Sequence, residues 1–135
     1  MNHRLSFAHE FQFRYLQHDF FPVLDVTLIG PSGEDDLIAI IDTGAKYCFF
    51  NGVRAASIGI ELGAGRLEVL SGLSGPLMAR IHKVDLQILG TRFQCEVAFS
   101  EQPIARELLG RHTLFNQVCL GFREGLSVGY FHPSR

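Results

Sequence analysis

Asp42 is the residue of this chain whose setting asks for chemistry. It ends the apolar run Leu37-Ile38-Ala39-Ile40-Ile41 within "LIAIIDTGAKYCFF", residues 37–50, and Thr43 and Gly44 follow at once. A carboxylate taken from water among such residues is costly unless it is paired, hydrogen-bonded or protonated. The plain role is a turn aspartate accepting local N–H bonds at a strand end. The chemical role is general acid–base work beside a second carboxylate. Other chemistries have less to stand on. The histidines at 3, 9, 18, 82, 112 and 132 lack the i, i+4 spacing that puts two metal ligands on one helix face. Cys48, Cys95 and Cys119 form no C-x-x-C pair and read as small buried hydrophobes, not as zinc ligands or disulfides. "GLSG" at 72–75 misses the nucleophile elbow, and Gly59, Gly63 and Gly65 do not spell a phosphate loop. No metal and no cofactor are expected.

The elements that must position Asp42 are mostly strands. Phe11, Phe13 and Tyr15 alternate with polar residues; after Pro22, Leu24, Val26 and Leu28 share one face, with Asp25 and Thr27 on the other. "PSGEDD" at 31–36 is a turn, so residues 22–42 form a hairpin that ends on Asp42. Asn51 is placed to cap a short helix through "VRAASIGI" that closes at Gly59. Residues 66–89 make a long hairpin whose tip is the small, turn-prone "SGLSGP". Val84, Leu86 and Ile88, then Phe93, Cys95, Val97 and Phe99, alternate with polar residues around a turn at Gly90. "LLGR" at 108–111 precedes a second short helix from about His112 to Gln117, then a strand, with "LSVGYF" as one more. Many strands, two small helices and no βαβ rhythm predict an all-β barrel or sandwich.

Composition narrows the partners. The 135 residues, 47% hydrophobic, suit one domain spanning 1–135 with a genuine core. Twelve basic against fourteen acidic residues give a net charge of −2 without a block of one sign, so neither nucleic acid nor an anionic membrane is an expected partner. No apolar stretch is long enough for a membrane span and "MNHRLSFAHE" lacks a signal-peptide centre, which makes a soluble, cytoplasmic protein the expectation. The Phe-rich start, Phe7, Phe11, Phe13, Phe20 and Phe21, reads as core or dimer contact.

An apolar strand running into Asp-Thr-Gly, a short helix, a Gly-rich hairpin and "LLGR" follow one another in an order that resembles the retroviral-type aspartic proteases, the retropepsin-like family. The resemblance covers about residues 22–122, and the pairing of "IIDTGA" with "LLGR" is its most specific part. It implies a retropepsin-like closed β-barrel or sandwich acting as a homodimer on peptide or protein substrates. It makes Asp42 catalytic and Thr43 a brace across the dimer. Gly44 and Ala45, with Leu109 and Gly110, would support the active loop, and Gly72, Leu73, Ser74 and Gly75 would form the tip of a flap over the substrate. Lys46 departs from the acidic residue that many retroviral members carry there, and Arg111 must find another partner.

The chemistry gives these residue types their own reasons. Carboxylate-driven peptide hydrolysis needs one ionised group to take a proton from water and one protonated group to polarise the carbonyl. Two like charges roughly 3 Å apart split those roles because they cannot both ionise. Asp19, Asp25, Asp35, Asp36 and Asp85 lack the apolar run that precedes Asp42 and the Thr-Gly that follows it, so the second carboxylate is expected from another copy of Asp42 on a two-fold axis. Ala45 withholds the hydroxyl that pepsin-like relatives direct at the ionised carboxylate, which predicts activity at mildly acidic to near-neutral pH. A catalytically silent dimer binding extended peptides is the alternative.

Overall fold

The alternation that marks the first hairpin builds it. The computed structural model describes residues 9–12, 14–15, 21–72 and 75–133. After β1 (His9–Gln12) and β2 (Arg14–Tyr15) come β3 (Pro22–Ile29) and β4 (Glu34–Ile41), antiparallel with Val26 opposite Leu37. Val23, Leu24, Val26 and Leu28 of β3 are buried while Asp25 faces solvent. β5 (Phe49–Asn51) leads into α1 (Val53–Ser57). The hairpin of β6 (Arg66–Gly72) and β7 (Gly75–Ile88) follows, then β8 (Thr91–Ser100), β9 (Leu108–Leu109), β10 (Val118–Arg123) and β11 (Val128–Pro133). Among the described residues the chain is mostly strand, as expected of an all-β protein. No helix among them is long and apolar enough to cross a membrane.

The pairings of the larger sheet close on themselves. β3 pairs with β4, β4 with β9, β9 with β5, β5 with β8, β8 with β7, and β7 returns to β3. Such closure removes exposed sheet edges, and β2 and β6 hang outside the circuit on β3 and β7. Leu28, Phe50, Leu86, Val97, Phe99 and Leu109 fill the interior, and α1 adds Ala55 with Ile58 just beyond it. β1, β11 and β10 form a second, three-stranded sheet. Phe131 of β11 packs edge-on against Phe93, ring centres 5.8 Å apart, which fastens this sheet to the core. Phe11 lies across from Gly129, where a Cβ would come within 2.3 Å of the ring.

Several expectations change in detail. α1 is capped by Gly52, without a side-chain hydrogen bond, because Asn51 belongs to β5 and spends its amide elsewhere. The helix stops at Ser57 with Ile58 as its C-cap, earlier than expected, and Gly59, whose φ of +84° suits glycine, lies just past its end. The second helix shrinks to a 3₁₀ turn over Phe115–Gln117. Leu89 joins Gly90 in the β7–β8 turn, both with positive φ, the geometry that matches the twist of a tight hairpin. Cys48 and Cys95 are buried as expected, but Cys119 is exposed on β10. Phe11 is core, whereas Phe21 is partly exposed; Phe7, Phe13 and Phe20 lie outside the described residues.

Candidate active site

β4 delivers Asp42, and β9 fixes where it stops. The Ile40 N–H donates to Glu107 O at 2.8 Å and the Asp42 N–H to Leu109 O at 3.0 Å, so the aspartate leaves the sheet at a pinned position. The chain then turns, with the Ala45 N–H donating to Asp42 O at 3.1 Å and the Gly44 N–H to Asp42 Oδ1 at 2.9 Å. A Cβ on residue 44 would sit 3.2 Å from Oδ1 and crowd the carboxylate by a few tenths of an ångström, which glycine avoids. Among the described residues no second hydrogen bond reaches the half-buried carboxylate. Oδ1 is thus oriented locally, and Oδ2 accepts no hydrogen bond among the described residues.

The loop rests on residues 109–112. Ala45 O accepts the Arg111 N–H at 3.0 Å and Nε at 3.4 Å, and Lys46 O accepts the His112 N–H at 2.6 Å. Arg111 therefore finds its partner in a backbone carbonyl. Gly110 allows this contact, since a Cβ there would lie 2.3 Å from Tyr47 O and 3.0 Å from Ala45 O. Its N–H points to Cys48 Sγ at 3.4 Å. Burial pushes the Cys48 thiol up to about 12 and Cys95 likewise, so both are neutral.

A cleft of about 1180 Å³ opens in front of Asp42. Ile40, Phe49, Leu70, Leu77, Ile104 and Leu108 give it an apolar lining, while Asp42, Lys46, Glu68 and Arg106 supply its charges. Tyr47 O–H donates to Glu68 Oε1 at 3.4 Å, and Arg66 Nε lies 3.7 Å from Glu68 Oε2, tying the β6 strand to the Asp42 loop. The Lys46 ammonium stands 5.2 Å from the centre of the Tyr47 ring, and the Arg106 guanidinium 4.7 Å from that of Phe21. Two further clefts, of about 510 and 490 Å³, contain no residue of the Asp42 loop.

One wall of the cleft, Ile104 to Arg106, is irregular chain held by side chains. The Asn51 amide accepts from Ile104 N at 2.8 Å and donates to Ile104 O at 3.3 Å. Arg54 grips Glu107 with two bonds, of 2.6 and 2.7 Å, and reaches Asp35 at 3.1 Å. Glu107 first and Asp35 second hold the guanidinium still more firmly in its charged form.

No family model matches the chain, and no curated protein matches it.

Of the residues singled out in the sequence, Asp42, Gly44 and Ala45 line the cleft, with exposed Thr43 between them. Leu109 and Gly110 lie beneath, and Gly72 faces Gly75 where β6 meets β7. Leu73 and Ser74 lie outside the described residues. Sequence reasoning missed Glu68 to Ser71, Tyr47, Phe49 and the wall at 104–106. Only the hairpin assignment of residues 66–89 could have pointed to any of them.

Proposed function

We propose that this chain is an aspartic endopeptidase of the retropepsin-like kind, active as a homodimer in which two copies of Asp42 share one water. One observation carries the proposal: Asp42 has one oxygen oriented by the Gly44 N–H and faces an apolar cleft of about 1180 Å³ that strand β6 of the flap-like hairpin also lines. An apolar cleft suits a peptide's side chains and shields the reacting carboxylates from bulk water. In the dimer, the ionised partner takes a proton from the water while the protonated partner donates to the scissile carbonyl. The proton then passes to the departing amine, and no covalent intermediate forms. Thr43, exposed beside Asp42, has its hydroxyl available to the opposite loop.

The decisive experiment incubates wild type and Asp42→Asn with a diverse peptide pool from about pH 2 to 8. Cleavage by wild type alone, strongest at mildly acidic to near-neutral pH, is the expected result. An optimum below about pH 3 would contradict the role given to Ala45. The silent peptide-binding alternative draws support from β6, which among the described residues pairs with β7 alone and so offers its other edge to an added strand. Binding that persists with no cleavage at any pH would favour it.

A further inference from the structure

Lys46 is an exposed cation on the lining of the cleft, paired with no anion among the described residues. It lines the same cleft as Asp42. Its carbonyl is pinned by the His112 N–H at 2.6 Å, and its ammonium lies over the Tyr47 ring at 5.2 Å. Both ends of the residue are therefore placed. Tyr47 is itself buried and packs edge-on against His112, ring centres 5.1 Å apart. Among the described residues no carboxylate lies within ion-pair distance of Lys46. The cleft holds two carboxylates, and neither is available for the task. Glu68 is engaged by Tyr47 and Arg66, and Asp42 is the reacting group. Arg106 lends the cleft a second positive charge.

We infer that Lys46 is a specificity residue that takes an acidic side chain of the bound peptide, flanking the apolar residues that fill the cleft. This deepens the endopeptidase reading and rests on it for the cleavage step. Lys46 is exposed at the rim of the cleft, so its pull on a carboxylate is that of a solvated cation held over an aromatic face, modest in size but directional. In a symmetric dimer each half of the cleft offers one such lysine, so acidic residues on either side of the apolar core are favoured.

The test compares wild type, Lys46→Gln and Lys46→Glu on peptides that share one apolar core and carry Glu, Gln or Lys beside it. Both kcat/KM and binding by fluorescence anisotropy are measured. Wild type is expected to prefer the Glu peptide over the Lys peptide by roughly 3- to 10-fold. The preference should vanish in Lys46→Gln, reverse in Lys46→Glu, and shrink at ~0.5 M salt. The same order of preference in all three proteins overturns the inference. Wild type that binds with the Glu preference but never cuts keeps the inference and removes the endopeptidase reading. Cutting without any charge preference does the reverse, and neither binding nor cutting overturns both.

Discussion

At the scale of single residues, Asp42 combines two properties that are hard to separate by sequence. Its Oδ1 accepts the Gly44 N–H, as any turn aspartate would, yet the same side chain lines the cleft. Asp42→Asn keeps that acceptor, so thermal stability should change little while cleavage falls roughly 100- to 10,000-fold, measured by peptide turnover beside a melting curve. Gly110 is the opposite case, a residue whose value lies in having no side chain. Gly110→Ala would force a Cβ to 2.3 Å from Tyr47 O, a backbone atom that cannot swing aside. It should cost about 1–3 kcal/mol in denaturant unfolding and displace the Asp42 loop. Ser100 is buried, and its hydroxyl has no partner among the described residues. Ser100→Ala should therefore be neutral or stabilising by up to ~1 kcal/mol, read from the same unfolding curves.

Among elements, the informative ones are the irregular connections. The wall at 104–106 has no periodicity to announce it, and the Asn51 amide and the Arg54–Glu107 pair give it a fixed place. Asn51→Ala would leave the Ile104 N–H without its acceptor, at an expected cost of about 1–3 kcal/mol. A raised KM accompanying that loss would tie the wall to substrate. The support under the Asp42 loop carries a pH dependence. His112, whose N–H holds Lys46 O, bonds Glu96 through its ring at 3.0 Å. That hydrogen bond first, with help from the nearby Arg66 charge, keeps the Glu96 carboxyl below the usual carboxylate range. A carboxyl depressed on folding adds stability above its unfolded value and loses it as pH falls through the folded one. Melting temperature should thus decline as pH drops below about 4.5, the ordinary Glu value, and Glu96→Gln should flatten that decline.

For the whole molecule, the proposed chemistry needs a second copy, since each chain brings one Asp42 in this setting. Specific activity should fall on dilution in step with the dimer fraction measured by sedimentation, and a strictly monomeric protein at high concentration would refute the shared-water mechanism. The molecule also shows where sequence reasoning reaches and where it stops. The hairpins over 22–42, 66–89 and 84–99 were legible because burial on one face imposes a period of two, which a single chain displays openly. The triplet at 42–44 was legible as well, because a carboxylate after five apolar residues is chemically conspicuous. Asn51 misled, because its residue type suits a helix cap and only the neighbouring chain at Ile104 reveals its use. The circuit from β3 through β9 and back from β7, the meeting of Gly110 with Tyr47, and the cleft shared by Lys46, Glu68 and Ile104 all join residues far apart in the chain. The long hairpin strands and the candidate carboxylate could be read from the chain alone, since local patterning and residue chemistry are short-range properties, whereas the short strands β5 and β9 could not. What surrounds that carboxylate emerges only in the folded molecule, because closure of the sheet and the close approach of backbones are long-range packing outcomes that no local period encodes.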